Sequence, residues 1–213
     1  PPTGARASAR SLRAGKPVLV EKPAGLTAAQ VAAVADVAAR AGLLFAEAYM
    51  YRCHPQIARL LEILKSGEIG TPRHIRAQFG FNAGFNPASR LYDRALGGGG
   101  IMDVGGYPVS LARLVAGAAV GRAFADPVTV KGSGIVGQSG VDEVAYGLLG
   151  FAGGFTAEVA CAIARTMDNR AVIEGDKGRI ELVDPWVPGR NAGPSDATTS
   201  VTVGGETRAE VLR

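Results

Sequence analysis

A lysine that follows an apolar run is the first candidate for chemistry in this sequence. The run Val18-Leu19-Val20 ends in Glu21-Lys22-Pro23. Ligands of open α/β sheets bind beyond the carboxyl ends of the strands, which is where Lys22 falls. Pro23 has no N–H group and favours an extended conformation of the residue before it. An ammonium there can hold a substrate hydroxyl or lower the pKa of a neighbouring acid, although an ordinary charged strand end fits the position equally well.

An aspartate and a tyrosine form the second candidate. Asp103 and Tyr107 are spaced i, i+4, so they share one face of a predicted helix. The glycine run 97–100 precedes them and allows another backbone segment to approach closely. A tyrosine beside a lysine can donate a proton to an alcohol oxygen or accept one from it. Taken alone, the pair is better explained as a capping aspartate and a packed tyrosine.

A third motif, G-x-G-x-x-G, spans Gly132 to Gly137. In a chain with 30 glycines among 213 residues, about 0.6 matches to this pattern arise by chance. A dinucleotide loop also requires a helix to follow, because the helix N-terminus binds the pyrophosphate. The segment that follows, QSGVDEVAYGLL, alternates like a strand instead. We therefore interpret the motif as a glycine-rich strand and turn.

Residues 5 to 52 show the alternation of a doubly wound α/β domain. The Val18-Leu19-Val20 run does not alternate with polar residues, which is typical of a strand covered on both faces in a parallel sheet. Thr27 is a good N-cap and Gly42 a good C-terminal signal for the second helix. The predicted order is a helix over 5–14, a strand over 16–22, a helix over 28–41 and a strand over 43–52.

The rest of the chain changes character. We predict a helix over 54–65, a strand over 69–81, a glycine-rich loop over 82–100 and a helix over 101–117. From residue 127 the apolar period becomes two, with short turns between segments, which predicts an antiparallel sheet. The tail from 188 is predicted to be a loop with a short strand at 200–203. The fold class is thus α/β, with a partial dinucleotide-binding domain at 1–52 and an α+β domain at 53–213.

Composition excludes several classes of function. The net charge is +4, but no run of five like charges appears, so nucleic acid is disfavoured as a partner. The two cysteines belong to no Cys/His cluster, which predicts no bound metal. No segment reaches roughly 18 apolar residues, so no membrane span is predicted. No signal peptide is visible, and we expect a cytoplasmic protein.

Taken together and in order, the motifs resemble those of a known family. The segments are VLVEKPAGLT, AYMYRCHPQ, SGEIGTPRHIRAQFGF, RLYDRALGGGGIMDVGGYPVSLARL and VDEVAYGLLGF. They are similar to the glucose–fructose oxidoreductase/inositol dehydrogenase (Gfo/Idh/MocA) family, and within it to the sugar and trans-dihydrodiol dehydrogenase branch. The resemblance covers about residues 5 to 183.

The resemblance implies a fold, a cofactor and roles for particular residues. It implies a Rossmann domain that binds NAD or NADP, followed by a domain with an open, mainly antiparallel sheet that often forms a homo-oligomer interface. By resemblance, Lys22 assists proton transfer at the substrate hydroxyl, Tyr107 is the acid/base and Asp103 orients the site. The remaining implied positions border the cofactor or substrate: Glu21, Lys22 and Pro23 at the nicotinamide ribose, with Arg52 and Arg90 nearby.

The sequence also departs from the family pattern. The match begins inside the family's Rossmann domain, so the first strand, the glycine-rich loop and the acidic residue that reads the ribose have no counterpart here. A histidine common before the EKP strand corresponds to Gly4. We therefore expect a fragment of an NAD(P)-dependent oxidoreductase acting on a secondary hydroxyl of a sugar, polyol or dihydrodiol. The alternative is a non-catalytic, sheet-mediated dimerisation or binding module derived from the family.

Overall fold

The computed structural model describes residues 3–189 and 196–213, which form two sheets. A two-stranded sheet is built by the first quarter of the chain, and an eight-stranded sheet by the remainder. The mixed α/β class with a mainly antiparallel sheet is therefore confirmed. The division of the chain at residue 52 stays a prediction.

The first unit alternates helix and strand. Its elements are α1 (Thr3–Arg13), β1 (Val18–Glu21), α2 (Ala28–Ala41) and β2 (Phe45–Ala48). β1 and β2 pair in parallel, with Glu21 opposite Ala48, so their carboxyl ends lie side by side. The predicted caps of α2 are confirmed: the Thr27 hydroxyl accepts the N–H of Gln30, and Gly42 adopts a left-handed conformation.

The predicted burial of β1 on both faces is wrong. α1 and α2 pack on one face, where Val18 and Phe45 contact a small core. The opposite face carries Leu19, which is 74% exposed, and Leu44, which is 68% exposed. The non-alternating run reflects two apolar faces, but the described residues cover only one of them.

The second unit places eight strands in the order β10-β9-β8-β7-β3-β6-β5-β4. All neighbours are antiparallel except β3 and β6, which run parallel. The bounds are β3 (Pro72–Gly80), β4 (Pro127–Val136), β5 (Asp142–Phe151), β6 (Thr156–Ala162), β7 (Ala171–Gly175), β8 (Gly178–Leu182), β9 (Ala197–Val203) and β10 (Glu206–Leu212). The Gly132–Gly137 motif begins within β4, as its interpretation as a strand and turn predicts.

Two helices, α3 (Pro55–Ser66) and α4 (Gly106–Ala119), cover one face of this sheet. The main core lies between them and the strands. Trp186, fully buried, sits at its centre and donates its indole N–H to the carbonyl of Gln78 at 2.8 Å. The other sheet face carries residues such as Arg76, Leu148 and Glu158, which alternate with the core-facing positions.

Two predicted elements near the site differ from the structure. The strand predicted over 43–52 ends at Ala48, and a 3₁₀ turn over Met50–Cys53 turns Tyr51 into the core. The helix predicted over 101–117 begins as a π-helical turn, Ile101–Gly105, in which Gly105 lies close to the Cys161 side chain. A Cβ at Gly105 would lie 3.0 Å from Cys161 Sγ.

The C-terminal tail contains more strand than expected. β9 begins at Ala197 rather than 200, and β10 was not predicted at all. β10 alternates charged residues rather than following an apolar run, and ion pairs attach it to the rest of the fold: Glu210 to Arg59 and Arg208 to Glu68. Residues 190–195 of the predicted loop lie outside the described residues. In the described ranges, no helix has the length and apolarity needed to cross a membrane.

Candidate functional site

Lys22 reaches from the end of β1 to the π-helical turn of the second unit. Its ammonium donates to the backbone carbonyl of Asp103 at 2.5 Å and to Asp103 Oδ1 at 3.0 Å. The same nitrogen lies 5.7 Å from the ring centroid of Tyr107. An ammonium has three N–H donors, so two are bound to Asp103 and the third is left for a ligand. The structure thus brings together the three residues predicted to be catalytic.

Asp103 is nearly buried, with 6% of its side chain exposed. A buried carboxylate needs compensating partners, because loss of hydration is costly. Two cations supply them at a single oxygen: Lys22, and Arg90 Nη2 at 2.9 Å from Oδ1. Arg90 lies in a 3₁₀ turn, Arg90–Tyr92, and 62% of its side chain remains exposed.

Tyr107 lies in an aromatic cluster at the start of α4. Its ring packs edge-on against Tyr49 and Phe79, and it also contacts Tyr51 and Trp186. Burial raises the pKa of the Tyr107 phenol, and the negative charges of Asp103 and Glu21 raise it further. The phenol is therefore protonated at neutral pH. It must lose this proton before it can act as a base, and nearby cations favour that loss.

The glycine run 97–100 fits tightly between two segments that build the site. A Cβ on Gly98 would lie 2.6 Å from the carbonyl oxygen of Leu91 and 2.8 Å from that of Arg90. A Cβ on Gly99 would lie 2.3 Å from Asp142 Oδ1. The run therefore allows the Arg90 turn to lie directly against the start of the π-helical turn.

Asp142, the first residue of β5, holds that turn from the sheet side. Its Oδ2 accepts the backbone N–H of Ile101 at 2.7 Å, two residues before Asp103. Burial raises the pKa of the Asp142 carboxyl, while the backbone hydrogen bonds it accepts act in the opposite direction. Asp142 thus caps the helical segment that presents Asp103.

The segment after β1 is fixed by a second carboxylate. The Lys22–Pro23 peptide bond is cis, and the N–H of Ala24 donates to Glu47 Oε1 of β2 at 2.8 Å. Glu21, also predicted to be a site residue, ends β1 and is exposed. Glu21 lies close enough to Tyr107 to affect the pKa of its phenol.

The start of α2 does not resemble a pyrophosphate cradle. The Thr27 hydroxyl accepts the N–H of Gln30, and Gln30 Oε1 accepts the N–H of Leu26 at 2.8 Å. These internal caps use groups that a phosphate would otherwise bind. The start of α2 therefore does not suit the phosphates of a cofactor.

Arg52 is the one predicted site residue that the structure does not bring to this cluster. Its guanidinium stacks on the ring of Phe124 at 4.8 Å. Phe124 packs against Gly117, ten residues beyond Tyr107 in α4. At 1.5 Å per residue, Gly117 lies roughly 15 Å from Tyr107 along the helix axis.

Sequence reasoning missed several contributors. Tyr49, Glu47 and Asp142 lie in segments that support the resemblance or adjoin it, but nothing in their spacing distinguished them. Trp186 had one usable signal, since it is the only tryptophan in the chain. Among the described residues, no group of three or more His, Cys, Asp or Glu side chains could hold a metal ion.

Comparison with known protein families decides the ancestry of this arrangement. Residues 57–181 match the model of the GFO/IDH/MocA C-terminal domain. The chain belongs to the GFO/IDH/MocA family. Trans-1,2-dihydrobenzene-1,2-diol dehydrogenase of Mus musculus is 34% identical over 177 residues, which cover 83% of this chain and 51% of the relative. An uncharacterized oxidoreductase of Rhizobium meliloti is 34% identical over 183 residues, covering 84% and 52%.

Solved structures of family members share the fold. An aldose-aldose oxidoreductase from Caulobacter crescentus, complexed with glycerol, superposes with a TM-score of 0.82 at 26% identity, over 98% of this chain and 60% of that one. A 3-ketoreductase from Actinomadura kijaniata, in complex with TDP-benzene and NADP, gives 0.82 at 26%, over 99% and 62%. Structures of that ketoreductase include a tyrosine-to-phenylalanine and a lysine-to-alanine variant. The chain spans about half the length of the curated relatives it matches.

Proposed function

We propose that this chain is the substrate-binding and proton-transferring part of an NAD(P)-dependent oxidoreductase that acts on a secondary hydroxyl of a sugar, polyol or dihydrodiol. The observation that carries the proposal is the meeting of Lys22, Asp103 and Tyr107 across the two units. Relatives named as dehydrogenases and ketoreductases support it. The ketoreductase variants also support it, because they replace a lysine and a tyrosine. The number of residues between these two is nearly the same as the number between Lys22 and Tyr107.

When bound, a nicotinamide cofactor supplies or accepts the hydride at the carbon that bears the hydroxyl. Tyr107 gives or takes the hydroxyl proton, so that oxidation forms a C=O bond as the O–H and C–H bonds break. Lys22 donates its remaining N–H to the reacting oxygen and stabilises negative charge on it. Asp103 holds Lys22 in place through two hydrogen bonds. The aromatic rings around Tyr107 limit the access of water from one side.

The cofactor is NAD or NADP, and the NADP complexes of the ketoreductase support the choice of a nicotinamide. Glu21 and Pro23 are proposed to line the nicotinamide ribose. In the relatives, the segment that binds the cofactor phosphates is proposed to lie in the part of their sequence that this chain does not match. Contact of Arg52 with the cofactor stays a prediction, and so does the cytoplasmic location of the protein.

The decisive experiment uses this chain joined to a dinucleotide-binding segment and follows NADPH and NADH absorbance with carbonyl sugars as substrates. Lys22→Ala and Tyr107→Phe should each lower turnover by about 10²-fold or more, the scale of lost acid–base catalysis. Lys16→Ala and Tyr146→Phe are the matched controls, because both residues are exposed and lie outside the cluster. Turnover that is equal in all four variants would remove the assignment.

We also propose that a second copy of the chain packs on the uncovered face of the eight-stranded sheet. A concave region of about 490 Å³ lies there, lined by Arg76, Lys131, Leu148 and Glu158 among others. Leu148 is 55% exposed between Lys131 of β4 and Glu158 of β6, its partners in register. An exposed leucine flanked by opposite charges suits a self-complementary surface.

Light scattering on the purified chain tests this surface. The wild type should have the mass of a dimer, and Leu148→Glu should have that of a monomer, because a carboxylate would be buried at the contact. Leu44→Glu, on the exposed face of the small sheet, is the control and should leave the mass unchanged. A monomeric wild type, or a dimer unaffected by Leu148→Glu, would contradict the assignment of the interface.

A further inference from the structure

Arg90 was expected to border the cofactor or substrate, but its observed partner is a carboxylate of the site. Its Nη2 lies 2.9 Å from Asp103 Oδ1, the same oxygen that Lys22 contacts at 3.0 Å. We propose that Arg90 is a positioning residue: it fixes the rotation of the Asp103 carboxylate and adds the second positive charge that favours loss of the substrate proton. The proposal rests on the proposed function and deepens it.

Lys22 and Arg90 both contact the Asp103 carboxylate. Both cations bind Oδ1, so the carboxylate is held from two directions and cannot turn freely. Within the described ranges, no group is seen to donate to Oδ2, which is left for a ligand hydroxyl. If Arg90 were removed, Lys22 would be the one remaining cation on the carboxylate, and its ammonium could move with it. The orientation of the third N–H of Lys22 therefore depends on Arg90.

The net charge of the site also depends on Arg90. Lys22, Arg90 and Asp103 together carry one net positive charge, whereas Lys22 and Asp103 alone carry none. Oxidation places negative charge on the substrate oxygen as its proton leaves, and Tyr107 must be a phenolate before it can take that proton. Burial and the nearby carboxylates disfavour this phenolate. A net positive charge at this distance stabilises that anion, although exposure of Arg90 and dissolved salt weaken the effect.

Local hydrogen bonds also hold the backbone that carries the Arg90 side chain. The Ser89 side chain accepts the N–H of Leu91 and caps the Arg90 turn. The Asp93 side chain accepts the N–H of Ala95 and caps the next turn, Arg94–Leu96. Gly98 and Gly99 donate their N–H groups to the carbonyls of Asp93 and Leu91. The glycine run 97–100 thus binds the turn directly, so that the base of the Arg90 side chain is fixed although its tip is exposed.

The kinetic test compares Arg90→Gln, Arg90→Lys and Arg94→Gln in the chain joined to its dinucleotide-binding segment. Arg94 is an exposed arginine in the same loop and serves as the matched control. We expect Arg90→Gln to lower kcat for oxidation about ten- to a hundredfold, with an unchanged Kd for NADPH. Arg90→Lys should recover a large part of the loss, because it retains the charge.

The pH profile provides a readout that a merely structural role would not move. The pH of half-maximal kcat/KM for oxidation should rise by about 0.5 to 1 unit in Arg90→Gln, because loss of a cation makes Tyr107 harder to deprotonate. The charged and titratable groups facing or adjoining Tyr107 are Glu21, Lys22, Tyr49, Tyr51, Arg90 and Asp103. A profile identical to that of Arg94→Gln, or a change in the Kd of NADPH alone, would overturn the proposal.

A melting experiment on the 213-residue chain separates this inference from the proposed function. Arg90→Gln should lower Tm by about 1–3 °C in the wild type and by less in an Asp103→Asn background, because the contact is then already lost. Equal shifts in both backgrounds would overturn the role of Arg90 whatever the activity. Absence of turnover in the wild-type enzyme would instead contradict the proposed function. The Tm shifts in the two backgrounds would still test the contact between Arg90 and Asp103.

Discussion

The two sheets of the molecule bury their apolar residues to very different degrees. The small sheet has a core of four buried side chains, and Leu19 and Leu44 lie open on its other face. The large sheet has an extensive core with Trp186 at its centre. Both regions nevertheless contribute to one site, since Lys22 directly follows β1 of the small sheet and Asp103 lies in the π-helical turn that packs on the large sheet. The site therefore depends on a well-packed half that holds Asp103, Tyr107 and Arg90, and on a thinly packed half that contributes Lys22.

Loss of Trp186 should have the largest effect on the free energy of unfolding, because Trp186 lies at the centre of the large core. Its ring stacks on Phe79 at 5.9 Å with an interplanar angle of 13° and meets Tyr51 and Tyr107 edge-on. Trp186→Ala should lower the free energy of unfolding by about 3–5 kcal/mol, the range for a large aromatic side chain removed from a core. Urea unfolding followed by circular dichroism measures it, with Trp186→Phe as a milder second variant that retains part of the packing.

Leu19→Ala is the matched control in the small sheet. Leu19 is 74% exposed in this chain, so its truncation should change the free energy of unfolding by no more than about 0.5 kcal/mol. If Leu19→Ala proved as costly as Trp186→Ala, the exposed face of β1 would be covered in solution, and the contrast between the two sheets would fail.

The same contrast explains what could be predicted from the sequence. The caps of α2, the parallel pair β1–β2 and the alternating strands from residue 127 follow from local signals: Thr27, Gly42 and a period of two. The cover of β1 could not be read from its own residues, because burial depends on which segments pack on it. β10 was missed because it alternates charged residues and has no apolar run, although its pairing with β9 is local.

The site also combines features that local sequence signals predict with contacts between distant segments that they do not. The i, i+4 spacing of Asp103 and Tyr107 and the strand-end position of Lys22 sufficed to group the three residues. No spacing rule could assign Arg90 to Asp103 rather than to a ligand, since the contact depends on how the loop 82–100 folds back. Asp142 was missed for a similar reason: it contacts Ile101 across 41 residues of chain.

Gly98→Ala should have a smaller effect on stability than Trp186→Ala, because it alters one close contact between two backbone segments in the well-packed half. The new Cβ would lie 2.6 and 2.8 Å from two carbonyl oxygens, so the turn that carries Arg90 must shift. We expect a loss of about 1–3 kcal/mol in the free energy of unfolding, typical of overpacking. Turnover of the joined enzyme should fall with it, in the direction expected for Arg90→Gln, because the arginine loses its position.

Gly4→Ala in α1 is the control for that substitution, since its Cβ would meet its nearest neighbour, the carbonyl oxygen of Ala24, at an ordinary 3.5 Å. It should be neutral, or stabilising by up to about 1 kcal/mol through helix propensity. A Gly98→Ala variant as stable as Gly4→Ala would mean that the loop relaxes freely, and the glycine run would then not be what places Arg90. A stable variant with reduced turnover would instead localise the shift to the Arg90 turn, which separates positioning of the site from support of the core.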